Sequence, residues 1–249
     1  MASSTGAPRV SLIVPAHNEE HLLPRLLDSV ERARASFSAG PEAVEVIVAD
    51  NGSTDATARI AAERGCRVVP VAKRAIAAAR NGGAAAARGD ILCFTDADGR
   101  IHPRSFDAID AAVRSGRVVA GSTGVTMERW SPGIAATFAI FVPMAWAAGM
   151  DSGVVFCRRE DFDAVGGYDE SRLYAEDVVF LWMLRQRGRT SGRKLVRLRG
   201  VKTVASARKF EQFGDWHYFT RMPGLAWRMF FRRSAATDWA LRYWYRSGR

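Results

Sequence analysis

Asp96 and Asp98 carry the clearest chemistry in this chain: two carboxylates one residue apart that follow the apolar run Ile91-Leu92-Cys93-Phe94 and lead into Gly99. That run reads as a buried strand, and a parallel α/β sheet binds its ligands at the carboxyl ends of such strands. Oxygen ligands in that position suit magnesium or manganese clamping a diphosphate. A solvated turn is the competing reading, because Asp and Gly are common turn residues. A second acidic pair, Glu176-Asp177, opens an apolar helical pattern about eighty residues later. Alone it can be helix capping, since a helix N-terminus favours carboxylates. Brought close to Asp96 and Asp98, it would deprotonate a hydroxyl while a cation neutralised a leaving diphosphate.

These residues need a scaffold, and the hydrophobic pattern supplies one. Val10 to Val14 reads as a strand ending at Pro15, followed by a helix with apolar positions Leu22, Leu23, Leu26, Leu27 and Val30. Val44 to Ala49 is a second strand, after which Ser53 or Thr54 can cap a helix running to about Glu63. Arg67 to Val71 gives a third strand, Arg74 to Arg88 an alanine-rich helix, and Ile91 to Phe94 the strand that presents Asp96. Strands alternating with helices imply crossover connections and a mostly parallel sheet. Further on, Pro103 to Ser115 reads as a helix, Val118 to Ala120 and Val154 to Cys157 as strands, Gly166-Gly167 as a tight turn and Glu176 to Arg187 as a helix. Trp130 to Met150 carries no charge, but Pro132, Gly133, Pro143 and Gly149 interrupt it, so a buried or interfacial helix is expected rather than a membrane span.

The chain has 249 residues and a formal charge of +10. The charge is uneven: residues 185–249 hold 17 Lys or Arg against 3 Asp or Glu, which is +14, leaving −4 for the rest. Such a tail attracts nucleic acid, anionic membrane or a phosphorylated substrate, or simply forms a solvated face. Its arginines alternate with aromatics from Trp216 to Tyr245, a mixture that suits the headgroup region of a membrane or folds back as core. Cys66, Cys93 and Cys157 are isolated, so no disulfide framework or Cys-rich zinc site is expected. With no basic flank and apolar run at Met1 to Arg9, a cytoplasmic setting is the expectation.

Several chemistries can be set aside. Pro15-Ala16-His17-Asn18 after the first strand lacks the glycine fingerprint of dinucleotide oxidoreductases, and no Walker lysine loop is present. Haloacid-dehalogenase-like phosphohydrolases also place Asp-x-Asp-Gly at a strand end, but usually on the first strand, whereas three strands precede it here. A phosphohydrolase with Asp96 as nucleophile stays an alternative despite its position, and so does a basic module binding membrane or nucleic acid without catalysis, which rests on the tail alone.

The order of the motifs resembles family 2 glycosyltransferases of the GT-A fold. The resemblance rests on residues 10–20 (VSLIVPAHNEE), Asp50-Asn51-Gly52-Ser53-Thr54-Asp55, Ala79-Arg80-Asn81-Gly82-Gly83, Asp96-Ala97-Asp98, and Gly166-Gly167-Tyr168-Asp169-Glu170 followed by Glu176-Asp177. It implies an α/β fold with a mostly parallel central sheet flanked by helices. The catalytic domain would be residues 1–200, with a nucleotide half at about 9–99 and an acceptor half at about 100–200, and residues 201–249 would be a basic aromatic helical extension. It also implies an inverting, metal-dependent transfer of one sugar from a nucleotide-diphosphate sugar to a hydroxyl or phosphate acceptor. Pro15, Ala16, Glu19, Asp50, Arg80, Asp96 and Ala97 would line the nucleotide-sugar site, Asp98 with Asp96 would hold Mg2+ or Mn2+, and Asp177 would be the base. His17 stands where many relatives have an aromatic residue. The Gln-x-x-Arg-Trp motif and membrane helices of processive members are missing, so a single transfer is implied, with no nucleic-acid partner. A lipid-linked acceptor reached from the cytosolic face is the matching expectation for the tail.

Overall fold

The computed structural model describes residues 6–147, 151, 153–172 and 175–220. The expectation for the tail from residue 221 onward lies outside the described residues. Seven strands form one sheet in the order β3-β2-β1-β4-β6-β5-β7. They are β1 (Val10–Ala16), β2 (Val44–Asp50), β3 (Arg67–Pro70), β4 (Ile91–Phe94), β5 (Val118–Met127), β6 (Val155–Arg158) and β7 (Lys194–Ala205). β1 pairs in parallel with β2 and β4, and β2 with β3, while β6 runs antiparallel between β4 and β5. The sheet is therefore mostly parallel, with one reversed strand.

β1 is buried along its whole length because both of its faces are covered. Val10, Leu12 and Val14 face a core built with α1 (Leu23–Ala35) and α4 (Ser105–Arg114). On the other face, Ile13 joins Leu92, Phe94 and Phe180 in a core with α3 (Ile76–Ala86), α6 (Arg159–Val165) and α7 (Glu176–Thr190). This is the alternation of a strand with helices on both sides. The alanine and glycine content of α3 follows from how closely it approaches the sheet. A Cβ on Gly83 would lie 2.4 Å from Ile13 Cγ2.

Three sequence expectations are corrected. Ser53 and Thr54 do not cap α2 (Thr57–Glu63); carboxylates do, with Asp55 accepting from Thr57 N–H and Glu20 from Ala56 N–H. The strand expected at Val118 to Ala120 runs on to Met127, because β7 pairs with its full length in parallel. β7 lies in the stretch expected to be basic tail, and it extends the sheet to Ala205. Its basic residues hide the strand pattern, yet they suit an edge, where exposed Lys and Arg discourage further pairing. α5 (Pro132–Ala147) fills most of the uncharged stretch. Among the described residues, no helix is long and apolar enough to cross a membrane.

Candidate active site

Strands β1, β2 and β4 end on one edge of the sheet, in a register that aligns Ala16 with Asp50 and Ile13 with Phe94. Asp96 leaves β4 at that edge with its side chain largely exposed, and its Oδ1 accepts a hydrogen bond of 3.1 Å from Arg80 Nη2. Arg80 projects from α3 and is 96 residues before Glu176, yet its Nη1 lies 2.9 Å from Glu176 Oε1 and 2.8 Å from Asp177 Oδ1. A single buried guanidinium thus joins the two acidic motifs. Burial by itself works against its charge, but the carboxylates of Asp177, Asp96 and Glu176 hold its pKa above the ordinary value.

The Asp177 end is fixed by neighbours of Arg80. Asn81 accepts from Tyr168 N–H and donates to the Tyr168 carbonyl and to Glu170, fastening the Gly166-Gly167-Tyr168 turn to α3. Gly167 has a positive φ of 73°, and a Cβ there would meet Asn81 Oδ1 at 2.7 Å. The Tyr168 ring stacks on Phe180 of α7, with centroids 4.1 Å apart, and lies 5.1 Å from Arg80 Cζ. α7 then starts from Ala175, a non-glycine residue in the left-handed region at φ 57°. Asp177 keeps part of its side chain exposed while Oδ1 is occluded and out of hydrogen-bond alignment. Burial raises its pKa to about 6, against the opposing pull of Arg80.

A second cation pair closes the other side. Arg208, at the start of α8 (Arg208–Phe213), makes two contacts of 2.9 Å with the Glu19 carboxylate and lies 3.5 Å from Asp98 Oδ2. Hydrogen bonds in both directions between Arg100 and Val204 hold the segment after Asp98 against the end of β7, which delivers Arg208 to the site. Burial raises Asp98 to about 6, and Asp96 adds to the effect. Burial lowers the neighbouring Lys209 to about 8.

The structure sorts the expected residues as follows. Asp96, Asp177 and Arg80 come together, although Arg80 bonds to carboxylates where the sequence reading pointed it toward the nucleotide. Asp98 and Glu19 meet across Arg208. Pro15, Ala16 and Ala97 are buried at the sheet edge, and Asp50 lies there too, its Oδ1 accepting from Ser53 N–H. His17 Nε2 is 3.4 Å from Arg74 Nη1. Sequence reasoning gave no role to Arg208 or Lys209, read Glu176 only as part of an acidic pair with Asp177, and used Tyr168 only as part of a motif. The basic pair after β7 was visible, but its partners lie far away in the chain.

Among the described residues, no group of three His, Cys, Asp or Glu side chains could hold a metal ion unaided. Asp96 and Asp98 nevertheless fit a hard cation whose shell is completed by phosphate oxygens, as magnesium sites commonly are. Charge points the same way. The carboxylates of Glu19, Asp96, Asp98, Glu176 and Asp177 outnumber the cations Arg80, Arg208 and Lys209 by five to three.

Residues 11–136, half of the chain, match the model of Glycosyl transferase family 2, and the chain belongs to that family. Its fold is the GT-A fold of solved glycosyltransferases. Asp177 lies beyond the matched residues. The chain is 36% identical over 115 residues to the dolichyl-phosphate beta-glucosyltransferase of Drosophila melanogaster, covering 42% of this chain and 35% of that protein. It is 36% identical over 125 residues to the undecaprenyl-phosphate 4-deoxy-4-formamido-L-arabinose transferase of Pseudomonas paraeruginosa, covering 45% and 34%. These matches span about a third of the length of the two relatives. Among solved structures, S. aureus TarS 1-349 in complex with UDP-GlcNAc superposes with a TM-score of 0.62 at 20% identity, covering 80% of this chain and 58% of that one. The glucosyl-3-phosphoglycerate synthase of Mycobacterium tuberculosis, in complex with Mn2+, UDP and glucosyl-3-phosphoglycerate, gives 0.59 at 22% identity, covering 83% and 75%.

Proposed function

We propose that this glycosyltransferase moves a single sugar from a nucleotide-diphosphate donor to a hydroxyl or phosphate acceptor, with inversion at the anomeric carbon. The observation that carries the reading is Arg80, which joins Asp96 at the donor edge to Asp177 at the start of α7. Asp177 takes the proton of an alcohol acceptor, and a carboxylate raised to about 6 is ionised yet still basic near neutral pH. Arg80 holds it in place. Pro15, Ala16, Asp50 and Ala97 form the floor on which the nucleotide lies, and Arg208 and Lys209 face the diphosphate. Asp98 and Asp96 would hold Mg2+ or Mn2+, which when bound supplies positive charge for the departing diphosphate. Direct displacement from the face opposite the diphosphate gives inversion, and no sugar becomes attached to the protein.

The acceptor in this reading is lipid-linked, and the protein works peripherally at the cytosolic face of a membrane. The names of the two curated relatives and the charge of the tail support it. The test begins with thermal shift against UDP, GDP, CDP and dTDP sugars with manganese, since a ligand of the native state raises its melting temperature. A nucleotide sugar that stabilises the protein and is consumed in the presence of polyprenyl phosphate would support the proposal. Release of phosphate from a simple phosphomonoester, with no response to any nucleotide sugar, would overturn it.

A further inference from the structure

α5 presents an outer face without a polar side chain. Its exposed positions, Pro132, Ala135, Ala139, Ile140, Pro143 and Trp146, recur at helical spacing, while Gly133, Ile134 and Thr137 are buried on the inner side. A helix lying on a globular protein in water normally turns charged and polar residues outward. Ile140 is 49% exposed and Trp146 46%, and the apolar strip continues beyond the helix N-terminus through Trp130 at 54% and Trp216 at 52%. Its helical part, the 16 residues of α5, is about 24 Å long at the rise of an α-helix.

Cations border it. Arg197 Cζ lies 4.3 Å from the centroid of the Trp146 ring and Arg199 Cζ 5.7 Å, both from edge strand β7, where Arg199 and Lys202 are exposed. Arg197 Nε and Nη2 are buried without a hydrogen-bond partner, the nearest carboxylate oxygen, on Asp151, being 3.6 Å from Nε. Unmet guanidinium donors beside a half-exposed indole are a place where an anionic oxygen gains hydrogen bonds. The described chain stops at Thr220, beside Trp216 and Phe219, and the sequence that follows holds seven Arg against one Asp.

We infer that the outer face of α5, with Arg197, Arg199 and Lys202 of β7, docks on the surface of an anionic lipid bilayer. Tryptophans at both ends of an uncharged helix suit the boundary of the hydrocarbon, and the strand cations sit at headgroup height. Nucleic acid would meet Ile140, Pro143 and the alanines with nothing to bind. A second copy would bring the same arginines against one another. The surface rests on its own residues, and the proposed function enters only because a lipid-linked acceptor gives it a use.

The test is flotation of the full chain at low salt with phosphatidylcholine vesicles, with and without phosphatidylglycerol. Recovery on the anionic vesicles is expected, and Ile140→Asp should reduce it at least tenfold by placing a charge in the inserted face. Arg199→Gln and Lys202→Gln should each weaken binding about fivefold, on anionic vesicles only. The shift in melting temperature given by the nucleotide sugar should be unchanged in all three, which shows that they are folded and separates failure here from failure of the functional reading. Failure of the intact chain to float, or binding of the variants at wild-type strength, overturns the inference. So does a dimer in solution that Ile140→Asp dissociates, because the face would then join two copies.

Discussion

At the residue scale, the site pairs two carboxylates of raised pKa with two different cations. Asp177 rises from 3.8 to about 6 chiefly through burial, so its ionised form is disfavoured by the fold. Its contribution to stability is therefore greatest when it is protonated, and is lost as pH rises from about 4 through 6. Relative to Asp177→Asn, the wild type should become less stable over that range, as thermal melts at several pH values will show. Turnover on an alcohol acceptor should rise through about pH 6 in the wild type. Asp177→Asn should lower it by on the order of 10² or more while donor affinity stays within a few-fold. A collapse of donor affinity would move Asp177 into the nucleotide site. Asp98→Ala should abolish metal-dependent donor binding, measured by calorimetry with manganese and the donor, because Asp96 alone leaves the cation short of protein ligands. Undiminished binding would remove Asp98 from the metal site.

Among the elements, the contact of α3 with β1 offers the sharpest test. Gly83→Ala improves helix propensity by about 1 kcal/mol. It also places a Cβ 2.4 Å from Ile13 Cγ2 on a fully buried central strand, where overpacking costs about 1–3 kcal/mol. Net destabilisation is expected in chemical denaturation, and a stabilised variant would mean that α3 can move off the sheet. The elements also show what the sequence made legible. β4 ends where its apolar run ends, and the spacing of Leu23, Leu26, Leu27 and Val30 marks the buried face of α1. α6 was missed because its seven residues, among them Arg159, Glu160, Asp161 and Asp163, have too few apolar positions to show a period. β7 was missed because Lys194, Arg197, Arg199 and Lys202 interrupt its apolar residues, a pattern that only the edge of a sheet explains. Asp96 and Asp98 could be read because they are adjacent in the chain. The pairing of Arg208 with Glu19 could not, since 189 residues separate them.

For the whole molecule, that pairing draws the two ends of the described chain over one site. In the proposed reading Arg208, which binds Glu19 and lies by Asp98, would compete with a cation for these carboxylates while facing the diphosphate. Arg208→Ala should therefore weaken donor binding by about tenfold or more, as a charge-assisted contact with phosphate predicts. Binding of manganese alone should be unchanged or tighter. Calorimetry of each ligand separately checks both, and equal weakening of the two would mean that Arg208 only supports the fold. Arg80 performs the corresponding task on the other side, with bonds to β4 and α7 from a helix that belongs to neither. Its position constrains recombination. A chimera that joins residues 9–99 to the acceptor half of another transferase would inherit a buried cation whose partners at Glu176 and Asp177 must arrive in register. Grafts that replace α7 without an acidic pair at its first turn would leave that cation with Asp96 alone and its Nη1 unmet, so in the proposed reading new acceptors are easier to reach through the loops around α7 than by exchanging the helix itself.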